Sequence, residues 1–373
     1  MTAAPFTTPT FADGEMAEFM SALETRRNQV YEFLDHWGRQ SAFRPADIHD
    51  AIYSYIRRRG KALRPLVLLL ACGAVGGDEE QAIPAAAAVE VFHTWTLVHD
   101  DIIDRDATRR GQPTVHAEYA EHGRSVFGLA EGGASHYGMA VAVLAGDSQQ
   151  SWAYALLSDL ANRGVEPGLV LQLVERMASW LTPQLLEGEM LDVQYALTPF
   201  DSLTEADVLS MLTKKTGALL EYAAWCGARI GLGPNPVDTE VASRLGRFAS
   251  LCGTAFQLHD DVLGLTADEG VLGKPVGSDL REGKRTLVVY RALSKAGEGE
   301  RTQLLATLGK SDATAREISD AIRIIESTGA LDEISNLANI HISQAIAILD
   351  TLPDTQQRRL LASWAGFLLS RRH

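Results

Sequence analysis

His99-Asp100-Asp101-Ile102-Ile103-Asp104 closes an apolar segment that begins near Ala82. Three carboxylates in five residues, at the end of an otherwise apolar helix, decide the reading of the chain, because acids withdrawn from water need counter-charge. On a helix Asp100 and Asp104 share a face at i,i+4, and Asp101 reaches the same side through its i,i+3 relation to Asp104. Such carboxylates suit a hard divalent cation, and Mg2+ commonly divides its shell between carboxylates, waters and substrate phosphates. A second phrase of the same form, His259-Asp260-Asp261, again follows an apolar segment. The two phrases read as two halves of one metal site.

Working outward, the 373 residues suffice to bury a sizeable core, and 46% hydrophobic with 22% charged content, rich in Ala, Leu, Glu and Arg, favours helix over strand. No useful β-alternation, linker or internal repeat is visible beyond the paired phrases. The expectation is an all-α chain, with residues 1–14 a disordered tail and 15–373 a single domain. A net charge of -14 excludes a nucleic-acid surface or an anionic membrane patch, so a phosphate-bearing substrate must be held by local cations and metal. Cys72, Cys226 and Cys252 are far apart and lack CxxC spacing, which excludes a disulfide framework or a zinc site and fits a reducing cytoplasm. No leader pattern precedes residue 15, and no apolar run approaches the roughly 20 residues of a membrane span, so a soluble protein is expected.

Helices are expected over residues 15–37, 48–59, 65–74, 83–104, 139–160, 169–194 and 241–265, with 139–160 buried and the glycine-rich 121–137 a surface loop. Thr204 to Asp207 carries the Thr-x-x-Asp start signal of another helix. The basic cluster Arg57 to Pro65 would ordinarily be a solvated helix end, but a glycine break and a proline restart place Lys61 and Arg64 at a loop-to-helix junction, where anions bind. His93, seven residues before Asp100, is close to two helical turns away and can face the same cavity; a lone histidine on an apolar helix is otherwise a core residue. Arg105, Arg109 and Arg110 follow the acids, and Lys214-Lys215-Thr216-Gly217 sets cations and a hydroxyl beside a glycine. Gln257 precedes Asp261 by one turn. Glu187, Glu189 and Asp192 read equally well as a polar helix face. Gly273-Lys274-Pro275 is no Walker loop, because proline follows the lysine and the preceding glycine spacing is missing. Lys274 and Lys284 on that glycine-rich stretch suggest a lid over bound diphosphate.

From Gly60 to Thr286 the ordered motifs resemble the trans-isoprenyl diphosphate synthases of the polyprenyl synthetase family, of short-chain type. The resemblance implies a helical bundle around a central cavity and head-to-tail condensation of isopentenyl diphosphate with an allylic diphosphate. Asp100, Asp101 and Asp104 are similar to the first aspartate-rich motif, and Asp260-Asp261-Val262-Leu263-Gly264 to the second, with Gly264 where a third aspartate is usual. Implied further are three Mg2+ ions on these acids, Lys61, Arg64, His93 and Arg110 gripping isopentenyl diphosphate, and a homodimer. Arg109, Lys215, Thr216, Gln257, Lys274 and Lys284 would contact the allylic diphosphate, with Arg109 and Lys215 stabilising the departing pyrophosphate. Ala62 replaces a commonly basic residue.

Trp95, with Thr96 beside it, lies five residues before Asp100, roughly 7 to 8 Å along a helix, and reads either as core or as the floor of a tunnel for the growing chain. A floor there would meet a tail of only a few isoprene units, and the resemblance implies C15 to C20 products, with geranylgeranyl diphosphate favoured. A class I terpene cyclase would share fold and acids but needs no second diphosphate site, which Lys61, Arg64 and His93 supply. A non-catalytic partner subunit could lose its acids, yet the first motif is complete.

Overall fold

Helix-forming composition yields helix throughout the computed structural model, which describes residues 13–38, 43–234, 239–267 and 276–370. Nearly all of the expected tail, together with Lys274, Arg371 and Arg372, lies outside the described residues. In chain order come α1 (Asp13–Asp35), α2 (Ala46–Arg57), α3 (Leu63–Ala74), α4 (Glu79–Ile103), α5 (Val115–Phe127), α6 (Glu131–Ser158), α7 (Pro167–Arg176), α8 (Thr182–Leu197) and α9 (Glu205–Leu212). They continue as α10 (Ala218–Leu232), α11 (Thr239–Thr266), α12 (Ser278–Glu282), α13 (Leu287–Lys295), α14 (Glu298–Thr307), α15 (Ala315–Ser327), α16 (Ala330–Leu349) and α17 (Gln356–Ser370). Among the described residues only Thr108–Arg109 (β1) and Gln112–Pro113 (β2) pair as strands, antiparallel and two residues each. Internal contacts divide the chain into two compact units, Glu18–Arg176 with Ala223–Ala242, and Met177–Tyr222 with residues 243–370.

In the first unit α4 packs on α3 and α6, and small side chains set the spacing: Ala82, Ala85, Ala86, Ala87 and Ala88 are fully buried. Helix starts and stops follow local chemistry. Asp78 caps α4, accepting from the Glu80 amide at 3.0 Å, and Glu79 and Glu80 suit the positive end of that helix. Gly227 of α10 meets α3 so closely that a Cβ would lie 1.9 Å from the Leu68 carbonyl oxygen.

In the second unit the helix expected to run unbroken to residue 194 has a π-helical turn, Met177–Leu181, before α8. A second π-turn, Thr213–Gly217, separates α9 from α10. The Thr204 start signal behaves as expected: its side chain and that of Asp207 form a reciprocal capping box.

The glycine-rich stretch 121–137 is not a loop. Only residues 128–130 leave the helix, between the end of α5, where Gly128 adopts φ 64°, and the start of α6. Gly128 supplies the left-handed turn, whereas Gly138, just past the stretch, serves contact, since a Cβ there would sit 2.1 Å from the His116 carbonyl oxygen of α5. Nor is α6 buried all round, for Met139, Val143 and Leu144 are exposed. Gly138→Ala is expected to destabilise the chain by about 2 kcal/mol or more through forced separation of α5 and α6. Gly132→Ala, with nothing within 4 Å, should be neutral or stabilising by up to about 1 kcal/mol. Equilibrium denaturation of the pair checks this, and equal effects would remove close packing as the reason for Gly138.

Candidate active site

The acids of α4 stand at the wrong end of their helix. Asp100 and Asp101 lie in its last turn and Asp104 is its C-cap, where the backbone dipole disfavours negative charge. Asp101 is fully buried, and both its oxygens are engaged. Arg109 holds Oδ1, with Nε at 2.7 Å and Nη2 at 2.6 Å, while the Tyr55 hydroxyl of α2 donates a short hydrogen bond to Oδ2. Burial pushes the Asp101 carboxyl up, against the pull of Arg109 and Tyr55. Arg109 also reaches Asp100 Oδ2 at 3.4 Å. Of the three sequence-predicted ligands, Asp101 therefore anchors Arg109, while Asp100 and Asp104 stay half-buried on one face.

Arg109 is delivered by the β1–β2 hairpin, whose turn residues Arg110 and Gly111 have φ of 53° and 72°. Two successive positive φ values are those of a type I′ turn, which suits a two-residue hairpin. Nothing in the sequence singled out Tyr55; its signal appears only once α2 is laid beside Asp101.

The basic junction shows the converse charge placement. Arg64 lies in the first turn of α3, at its positive end, and Ala62 before it is left-handed with φ 52°. Arg64 Nη1 donates to His93 Nε2 at 3.0 Å, which leaves the ring proton on Nδ1, 3.5 Å from Thr96 Oγ1. Burial and the guanidinium groups of Arg64, Arg109 and Arg110 hold His93 well below its ordinary value, hence neutral. Lys61 is exposed. Thr96 donates to the His93 carbonyl oxygen at 2.8 Å.

Trp95 is buried, in edge contact with Phe92 at 4.7 Å between ring centroids, and donates from Nε1 to His99 Nδ1 at 3.1 Å. His99 then carries its proton on Nε2, 3.3 Å from the Val143 carbonyl oxygen. Gly146 makes room for that ring, since a Cβ there would fall 2.1 Å from His99 Nε2.

In the second unit the lysines sit on the π-turn Thr213–Gly217, a local widening often found at functional positions. Lys215 Nζ lies 2.7 Å from Asp192 and 3.0 Å from Glu189, and Lys214 Nζ 2.6 Å from Glu187. The acids of α8 are thus partners of these lysines rather than a bare polar face. Close approach makes this possible, because a Cβ on Gly188 would come 2.5 Å from the Lys215 amide nitrogen. Thr216 donates to Gln257 Oε1 at 3.0 Å, and Gln257 Nε2 donates to Asp261 Oδ1 at 2.9 Å.

Asp261 is buried, and its Oδ2 has no hydrogen-bond partner among the described residues. Burial first, then Asp279, Asp260 and Asp192, push its carboxyl well up. Asp279 of α12 escaped the sequence reading, yet its Oδ2 lies 3.6 Å from where a Gly264 Cβ would be. A carboxylate thus stands beside the position where the second motif lacks its third aspartate. The described part of the presumed lid is short helix and turn, pinned by a Gly277 amide bond to the Gly264 carbonyl oxygen at 3.1 Å. Lys284 pairs with Glu282 at 2.8 Å. Beside it, Arg285 was also missed; its buried Nε and Nη1 have no hydrogen-bond partner among the described residues.

Both acidic sets are oxygen donors without a cysteine among them, and the unanswered Oδ2 of Asp261 is the kind of atom a hard cation completes. Residues 46–325 match the polyprenyl synthetase family, and the chain belongs to it. Within that family it is a short-chain trans-prenyltransferase. It is 38% identical over 330 residues to a geranylgeranyl diphosphate synthase of Methanosarcina mazei, covering 88% of this chain and 91% of the relative. A second geranylgeranyl diphosphate synthase, from Sulfolobus acidocaldarius, is 37% identical over 303 residues, with 81% and 84% covered. The solved geranylgeranyl pyrophosphate synthetase of Pyrococcus horikoshii superposes with a TM-score of 0.81 at 32% identity, covering 96% of this chain and 100% of that one. That of Corynebacterium glutamicum, crystallised with isoprenyl diphosphate and magnesium, gives 0.82 at 27% identity, with 94% and 99% covered.

A raised carboxyl stabilises the fold below the ordinary carboxylate range and loses that contribution as pH climbs through its raised value. The metal-free chain should therefore lose stability as pH rises above the ordinary carboxylate range, by an Asp261-dependent amount. Asp261→Asn is expected to shrink the fall, read as the difference between parent and variant melting curves without divalent cations. Parallel curves would mean that Asp261 is ionised throughout.

Proposed function

We propose that the chain condenses isopentenyl diphosphate with an allylic diphosphate to give geranylgeranyl diphosphate in an Mg2+-dependent reaction. The observation that carries this reading is the placement of charge against helix dipoles: acids at the C-terminal end of α4 and cations at the N-terminal end of α3. Each set is suited to a ligand of opposite sign, a metal ion for the first and a diphosphate for the second. The geranylgeranyl diphosphate synthases at 37–38% identity support the C20 product.

In this reading Asp100, Asp104, Asp260 and Asp261 hold three Mg2+ ions, with Asp279 beside them and Asp101 keeping Arg109 in place. Bound Mg2+ supplies neutralisation of the charge that grows on departing pyrophosphate. Arg109, Lys215, Thr216, Gln257, Lys274 and Lys284 bind the allylic diphosphate, and Arg109 and Lys215 share in stabilising the leaving group. Lys61, Arg64 and Arg110 bind isopentenyl diphosphate, with neutral His93 orienting Arg64. The isopentenyl double bond attacks the ionised allylic carbon, and the proton lost goes to the released pyrophosphate. No side-chain nucleophile is needed, so positioning and electrostatics do the catalysis.

Residues 15–373 act as one synthase domain, in the cytoplasm and as a homodimer. The exposed Met139, Val143 and Leu144 of α6 support assembly, since clustered apolar side chains in water favour a covering partner. The buried Cys72, Cys226 and Cys252, without the spacing of a disulfide framework, agree with a reducing compartment. No described helix is long and apolar enough to cross a membrane.

Asp100→Ala and Asp260→Ala should each lower pyrophosphate release by at least about a hundredfold. Release independent of isopentenyl diphosphate would instead identify a cyclase. Trp95→Ala should lengthen the product by at least one isoprene unit if Trp95 and Thr96 form the tunnel floor, read by product chromatography with allylic primers of increasing length. An active, less stable Trp95→Ala chain with the parental product would leave Trp95 as a core residue only.

A further inference from the structure

The expected isopentenyl diphosphate cations come from two loops, yet one acid not used above gathers them. Glu90 of α4 is 6% exposed, and a carboxyl at that depth is not retained without partners. Its Oε1 accepts from the Tyr31 hydroxyl of α1 at 2.7 Å, and that hydroxyl accepts from the Gly60 amide at 2.6 Å. Tyr31 is itself 1% exposed, and the guanidinium groups of Arg27 and Arg59 lie 5.9 Å and 5.6 Å from its ring centroid. From the same helix Arg27 Nε donates to the Gly60 carbonyl oxygen at 2.8 Å. Both backbone polar groups of Gly60 are thus held by α1.

Gly60 is the meeting point. A Cβ there would lie 3.2 Å from Glu90 Oε1, 3.4 Å from the Tyr31 hydroxyl and 3.5 Å from Arg110 Nη1. Burial pushes the Glu90 carboxyl up, while Tyr31, Arg64, Arg110 and Arg27 favour its ionised form. Glu90 Oε1 and Arg110 Nη1 thus converge on one point at Gly60, where the acid offsets the arginine's charge while no diphosphate is bound. His93, one turn beyond Glu90 on α4, holds Arg64 from the other side through its 3.0 Å bond.

We propose that Glu90 and Tyr31 are positioning residues for the second diphosphate: Glu90 keeps Arg110 beside the Gly60 turn when that site is empty, and Tyr31 fixes that turn, which presents Lys61 and Arg64. The proposal rests on the isopentenyl diphosphate reading above and adds α1 to the machinery of that site. A preorganised cation cluster lowers the cost of binding, so disturbing it should weaken one substrate and spare the other.

The test measures KM for isopentenyl diphosphate, KM for the allylic substrate and kcat in Glu90→Gln and Tyr31→Phe, with calorimetric titration of isopentenyl diphosphate into each metal-loaded chain. The expected result is a rise of about tenfold in isopentenyl diphosphate KM for Glu90→Gln, the scale of losing a charged partner. Tyr31→Phe should give a smaller rise, with allylic KM within twofold of the parent for both. A Glu90→Gln chain that fails to fold leaves Tyr31→Phe to decide, since it removes only a hydroxyl. Unchanged isopentenyl diphosphate affinity in a folded variant, or equal losses for both substrates, overturns the positioning role. A parent chain that binds no isopentenyl diphosphate overturns the functional reading instead.

Discussion

Charge set against helix dipoles is the constraint on which the candidate site depends. Asp100, Asp101 and Asp104 crowd the negative end of α4, and Arg64 occupies the positive end of α3. Each placement costs a few tenths to about 1 kcal/mol at a surface and more where water is excluded. Part of that cost is met inside the protein, by Arg109 and Tyr55 on Asp101 and by Glu90 beside Arg64 and Arg110. The remainder is what a cation at the acids and an anion at the basic turn would offset under the proposed function.

Hydrogen bonding converts this placement into geometry. Asp101 serves as a buried socket, one oxygen held by Arg109 and the other by Tyr55. In the second unit Gln257 plays a comparable part, accepting from Thr216 and donating to Asp261. An amide that both gives and takes ties a hydroxyl to a carboxylate without adding charge. The lysine pair on the neighbouring π-turn is restrained in the same spirit by Glu187, Glu189 and Asp192.

Much of this was legible in the amino-acid sequence, and the exceptions are instructive. Helical periodicity located α1 to α4 and α11, and the Thr204 capping signal marked the start of α9. The stretch 121–137 misled because glycine has two uses that composition cannot separate: it permits loops, and it permits contact. Gly123 belongs to the second kind, as do Gly138 and Gly146 beyond the stretch, a fact settled only by what lies opposite them, Tyr137, His116 and His99. Tyr31, Tyr55, Glu90 and Asp279 were invisible for a related reason. Each acts on a residue distant in sequence, and a lone tyrosine or acid carries no spacing that announces its partner. The acidic motifs were conspicuous because their chemistry is local, three carboxylates within one helical turn and a half.

The β1–β2 hairpin has a consequence for how this chain can vary. Arg109 faces the acids of α4 while Arg110, the very next residue, lies at Gly60. Two adjacent guanidinium groups are thereby aimed at two clusters, the acids of α4 and the Gly60 turn, by a turn of just two residues, both with positive φ. A single inserted or deleted residue there would exchange or misdirect the arginines at once, because strand side chains alternate with a period of two. Loop length at this point therefore sets where both arginines go, and the hairpin works as a ruler between the acids of α4 and the Gly60 turn.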